Sequence, residues 1–162
     1  MRDPVVITGL DQISSLGGTI PELDEAIASA RSGVSAYHLN LPGIDSASVA
    51  VSRVDWDMGK AIAPSKVPMD RGTALALRVA ARAAAQAQLN ACAMDPCRLG
   101  VYWGSGMAGA HTFDHSCEML YAQHKRLRPT NVVTTMPNAP AAEIALLLKA
   151  QACLLYTSDA AD

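Results

Sequence analysis

Apolar positions fall into two patterns along the chain: short β-branched runs, and longer stretches with helical period. Val5-Val6-Ile7-Thr8 is an unbroken run closed by Gly9, the pattern of a strand buried on both faces and ending in a loop. Thr19 and Glu22 then form a capping box. Leu23, Ala26, Ile27 and Ala30 recur on one face, and Gly33 predicts where that helix stops. Over residues 38–68 the pattern breaks into short pieces around Pro42-Gly43, with a strand candidate at Ala50-Val51-Ser52, so this stretch reads as an excursion rather than a repeat.

A strong helical signal returns over 70–89. Asp70 is placed to cap it, alanine and arginine favour it, and Leu75, Val79, Arg82 and Gln86 recur at three- or four-residue spacing. Its many alanines predict close packing against another element. Residues 99–103 form the next buried-strand candidate, followed by the loop Gly104-Ser105-Gly106-Met107-Ala108-Gly109 and a helix over 112–123. The basic cluster His124-Lys125-Arg126-Leu127-Arg128 leads through Pro129 to Val132-Val133-Thr134-Thr135, Met136-Pro137-Asn138 and a helix over 141–149. This alternation predicts α/β layers, with 5–8 and 99–103 as central strands and the 70–89 helix packed on them.

Composition narrows the function classes. The chain has 162 residues, 50% of them apolar, which suits one globular domain with a core. Charged residues are 17% and the formal net charge is -2, so no global basic field points to nucleic acid or an acidic membrane surface. No apolar stretch reaches the ~20 residues that span a bilayer. Met1-Arg2-Asp3-Pro4 lacks the charged-then-apolar order of a secretory signal, so a cytoplasmic location is expected. Cys92, Cys97, Cys117 and Cys153 show no CxxC spacing and read as reduced thiols rather than disulfide or zinc partners.

Three local patterns carry candidate chemistry. The 104–109 loop fits GxGxxG between a strand and a helix, where a dinucleotide pyrophosphate could rest on a helix start. The acidic residue that should grip the ribose ~20 positions on is missing, and a basic cluster stands there instead. Otherwise these glycines allow a tight turn and a close approach to a neighbouring chain or ligand. His111 and His115 are four apart near a helix start, but no HExxH glutamate accompanies them, and Ser105 lies outside a GxSxG elbow. Lys125, Arg126 and Arg128 suit either a solvated helix end, where cations complement the carbonyl pole, or a dock for an anionic partner.

The last ten residues, Cys153-Leu154-Leu155-Tyr156-Thr157-Ser158-Asp159-Ala160-Ala161-Asp162, follow no clear core or cap logic. The DNA string TGT CTC TTA TAC ACA TCT GAC GCT GCC GAC translates to them in order, and it resembles a transposase adapter used in sequencing libraries. The expectation is a truncated native segment over 1–152 and a non-native tail over 153–162.

Four motifs in register, Val5-Val6-Ile7-Thr8-Gly9 with Ser14-Ser15-Leu16-Gly17, Met69-Asp70-Arg71, the 104–109 loop and Met136-Pro137-Asn138, resemble the β-ketoacyl-[acyl-carrier-protein] synthases of type II fatty-acid and polyketide synthesis. The resemblance covers residues 3–152. Asp11 and Ser15 depart from it, standing where the family usually has glycine and proline. It implies the amino-terminal portion of a thiolase-like α/β fold, with layered helices on a mixed sheet.

The family's activity is acyl transfer followed by decarboxylative Claisen condensation with a malonyl-carrier, begun by a cysteine thiolate. That cysteine, two histidines and a lysine lie beyond the Met-Pro-Asn segment in the family. No catalytic residue is therefore assigned to this chain, which is expected to be inactive alone and to need no metal or cofactor.

The resemblance places Met107 at the depth of the acyl pocket, and Val132 and Val133 on a segment that crosses a dimer interface and lines the partner's pocket. Ordinary core packing is the alternative for all three. It places Lys66, Lys125 and Arg126 at basic positions that hold the acyl carrier protein. The implied partners are acyl- and malonyl-loaded carrier protein and a homodimer or ketosynthase heterodimer, with no nucleic acid and no membrane span. A non-catalytic chain-length-factor-like subunit is the alternative function. Exposed apolar faces, with aggregation or a molten state, are expected of the isolated piece.

Overall fold

The computed structural model of the chain describes residues 4–39, 47–54, 69–89 and 94–157. The chain divides into two units, residues 11–57, and residues 1–10 with 58–162.

In the smaller unit, helix α1 (Ile20–Ala28) starts as the capping box predicts. The Thr19 hydroxyl oxygen accepts from the Glu22 N–H at 3.3 Å, and Glu22 Oε2 accepts from the Gly18 N–H at 2.7 Å. The helix stops before Gly33. Ala30 takes a left-handed φ of 51°, and the N–H of Arg31 donates back to the Ala26 carbonyl at 2.8 Å, a Schellman closure on alanine rather than glycine. Gly33 has another role, since a Cβ there would run into the side chain of Ser15.

Strands β1 (Val34–Leu39) and β2 (Ala47–Ser52) form an antiparallel hairpin with Ser35 opposite Val51 and Tyr37 opposite Val49. The sequence reading places only residues 50–52 in a strand. The missed partner, Val-Ser-Ala-Tyr-His-Leu, is a two-sided strand with most of both faces exposed, so it lacks a clear in–out alternation.

In the larger unit, helix α2 (Arg71–Gln86) begins at Asp70, whose Oδ1 accepts from the Gly72 N–H at 2.8 Å. A second Schellman turn ends it: Gln88 is left-handed, and the Leu89 N–H reaches the Ala84 carbonyl at 3.0 Å. The buried residues are Thr73, Ala74, Ala76 and Ala84, while Leu75 and Val79 are half-buried, so the packing stripe is the small-residue one. Alanines let backbones approach, and α2 packs closely on α5 (Ala139–Leu148).

Strand β3 (Val101–Gly104) begins two residues later than the sequence predicts and pairs in parallel with β4 (Leu154–Thr157). The crossover between them holds α3 (Ala110–Cys117), which continues as a π-helical turn over Glu118–Ala122, then α4 (Asn131–Thr135) and α5. The core gathers Ala76, Val101, Ala141 and Ile144, with Leu77, Trp103 and Leu148 against it.

One predicted central strand is absent. Residues 5–8 are irregular and have no ladder partner among the described residues, and Val5 and Ile7 are 101% and 83% exposed. A strand in a parallel sheet needs a ladder partner and cover on its faces, and among the described residues this run has neither. The chain instead approaches α2 just after it. A Cβ on Gly9 would collide with the Ala83 carbonyl oxygen, and the Leu10 N–H donates to Gln86 Oε1 at 2.7 Å.

Candidate functional site

The glycine-rich loop leaves the end of β3 and enters α3 through Gly109, which holds a left-handed φ of 80° at the helix N-cap. A Cβ at Gly109 would also collide with the backbone of Thr135, the last residue of α4. Position 109 therefore needs glycine twice, for its φ and for the approach of two backbones. Gly106 differs, since a Cβ there would meet nothing within 4 Å.

Met107 stands on this loop 82% exposed, and Val132 and Val133 stand on α4 at 69% and 61%. None of the three belongs to the buried core among the described residues. The Gly109–Thr135 approach joins the loop to α4, so the structure brings the two pieces bearing these residues together.

A part-buried polar chain links the helices on either side of the loop. Asp70 is 3% exposed, and its Oδ2 accepts from both the N–H and the hydroxyl of Thr112, at 3.0 and 2.8 Å. Ser116 Oγ donates to the Thr112 carbonyl at 2.6 Å and accepts from Asn131 Nδ2 at 2.8 Å. One carboxylate thus caps α2 and α3 together, and the chain continues to α4. The cap at Asp70 is legible in the sequence, but its second oxygen reaches a residue 42 positions away, and no local pattern encodes that bond.

The basic cluster follows the π-helical turn. His124 is left-handed at φ 50°, the Lys125 N–H donates to the Met119 carbonyl at 2.9 Å, and Lys125 Nζ donates to Gln123 Oε1 at 2.8 Å. Lys125 and Arg126 are exposed just after the π-helical turn, and Tyr121 is exposed on it. Lys66 and Cys92 lie outside the described residues.

His111 and His115 are exposed on α3, and His115 Nδ1 lies 3.7 Å from Glu118. Among the described residues no three His, Cys, Asp or Glu side chains cluster as metal ligands. Cys97, Cys117 and Cys153 are in no disulfide, and Cys97 Sγ donates to Gln151 Oε1 at 3.8 Å. No helix among the described residues is long and apolar enough to cross a membrane. A separate polar cleft of about 320 Å³, lined by Ser15, Ser32, Ser35, Tyr37 and Arg53 among others, lies in the smaller unit and includes none of these residues.

Comparison with known proteins bears on the whole arrangement. The family model "Beta-ketoacyl synthase, N-terminal domain" matches residues 2–162. No curated protein matches the chain in sequence. Among solved structures, one is a type II PKS acyl-carrier protein in complex with its ketosynthase bound to the hexaketide. It is 19% identical with a TM-score of 0.69, over 98% of this chain and 44% of that one. The ishigamide ketosynthase/chain length factor is 21% identical with a TM-score of 0.66, over 94% and 39%. A beta-ketoacyl synthase from Burkholderia phymatum STM815 is 18% identical with a TM-score of 0.62, over 93% and 38%.

The chain therefore spans less than half the length of these structures, with which it shares its fold. With the family model matching nearly every residue, the chain belongs to the beta-ketoacyl synthase family, as the amino-terminal domain of its thiolase-like α/β fold.

Proposed function

We propose that this chain is the amino-terminal part of a condensing acyltransferase that joins an acyl thioester to a malonyl-carrier with loss of carbon dioxide, in fatty-acid or polyketide synthesis. The observation that carries the reading is the exposed apolar trio Met107, Val132 and Val133 on two segments held together at Gly109 and Thr135, in a chain of this family. These residues would form a wall of the acyl pocket and part of a subunit interface. Lys125 and Arg126, with Lys66, would attract an acidic carrier protein and lose that attraction in salt. The nucleophile and the groups that handle the malonyl carboxylate would come from sequence outside residues 1–152. We also propose that residues 153–162 are not native, and codons for them that differ widely from the adapter string would overturn that part.

The deciding experiment supplies acyl- and malonyl-carrier protein to the full-length protein of which this chain is a part, and to the 162 residues alone. Condensation by the first and none by the second is expected. Turnover by the short chain, or none by a folded full-length protein, overturns the reading. In the second case, glutamine or another residue in place of the nucleophilic cysteine would point to a non-catalytic partner subunit. One solved structure of the same fold pairs a ketosynthase with a chain length factor.

A further inference from the structure

Helix α4 has little to hold it in place. It is five residues long, its N-cap Thr130 makes no side-chain capping bond, and none of its residues is buried. A helix this short is unstable by itself, so its position depends on tertiary contacts. Two contacts stand out: the backbone approach of Thr135 to Gly109, and the bond from Asn131 Nδ2 to Ser116 Oγ at 2.8 Å. The second belongs to the part-buried chain that starts at Asp70. Asp70 and Ser116 are 3% and 7% exposed, and every link measures between 2.6 and 3.0 Å.

We infer that Asp70 is a positioning residue for the acyl site: through Thr112, Ser116 and Asn131 its carboxylate fixes α4 against the glycine-rich loop and so sets the spacing between Met107 and the pair Val132 and Val133. This rests on the functional reading above for what the spacing does. The carboxylate is required because three donors converge on it, the Gly72 N–H on Oδ1 and two Thr112 groups on Oδ2. A carboxylate only accepts, whereas an asparagine has one accepting oxygen and one donating nitrogen. Asp70→Asn can still cap α2, but it leaves the Thr112 N–H without an acceptor and keeps at most one reversed bond to α3, from the amide nitrogen to the Thr112 hydroxyl. Ser116→Ala breaks the same chain one link later and leaves the α2 cap intact.

The test uses the full-length protein and these two variants. It compares kcat/KM for a long and a short acyl-carrier thioester, and measures decarboxylation of malonyl-carrier alone, which needs no acyl pocket. Hydrogen exchange at residue 112 and residues 131–135 gives a readout independent of activity. Expected in both variants are a shift of about tenfold in the long-to-short ratio, malonyl decarboxylation within about twofold of the parent, and faster exchange over 131–135. The double variant should shift the ratio no further than the larger single change, because the two act along one chain.

An unchanged ratio in a folded variant, or equal loss of both activities in Ser116→Ala, overturns the inference. If the unmodified protein does not condense, the functional reading fails by itself. Exchange then decides the rest, and unaltered protection over 131–135 in the variants overturns the network.

Discussion

Gly109 and Gly106 sit three residues apart in one loop, yet substitution should treat them oppositely. At Gly109, alanine meets both a left-handed φ of 80° and the backbone of Thr135. Gly109→Ala should therefore destabilise the full-length protein by about 2 kcal/mol or more, read as a lower urea midpoint. Gly106→Ala, with open space around its Cβ, should stay within about 0.5 kcal/mol. Met107 is exposed and flexible, so its removal should change selectivity rather than stability. Met107→Ala should raise kcat/KM for longer acyl thioesters over shorter ones by about tenfold, since each methylene in an apolar pocket counts for 1–3 kcal/mol or so. A chain-length profile that does not move would remove Met107 from the pocket wall. At this scale the sequence already exposes the need for glycine in a tight loop. Which glycine is indispensable depends on Thr135, a residue 26 positions later, and only packing reveals it.

Among the elements, the helices are the most legible and the strands the least. The starts of α1 and α2 follow from Thr19 and Asp70, because a cap is a bond between residues two or three apart. Their ends are less legible, since Ala30 and Gln88 take the left-handed role that glycine usually fills. The basic cluster lies just beyond the π-helical turn. Lys125→Glu with Arg126→Glu should slow association with an acidic carrier protein by about tenfold at low salt and flatten the salt dependence. Stopped-flow measurement across ionic strength checks this, and an unchanged rate would leave the cluster as a solvated helix end. Strand β4 supplies the ladder partner of β3, although the run Leu154–Thr157 belongs to the stretch the sequence reading sets aside.

At the scale of the molecule, the buried apolar set among the described residues is small and made largely of alanines, whereas many large apolar side chains stay exposed. In the unit that carries the site, these include Val5, Ile7, Tyr102, Phe113, Val132 and Leu146. So much apolar surface in water favours self-association over a well-packed monomer. The isolated chain should bind ANS, aggregate at micromolar concentration and lack a sharp thermal transition. A cooperative melt from a soluble monomer in scanning calorimetry would contradict this.

The α/β alternation, the helix starts, the glycine-rich loop, the basic cluster and the family itself are determined by the sequence alone, because each rests on neighbours within a few turns or on motifs in register. Tertiary structure decided the rest. Residues 5–8 carry every local mark of a buried strand and yet remain unpaired among the described residues, since a strand exists only where another strand offers its edge. The tie from Asp70 through Thr112 and Ser116 to Asn131 likewise joins residues that only the packing of three helices brings within hydrogen-bond reach.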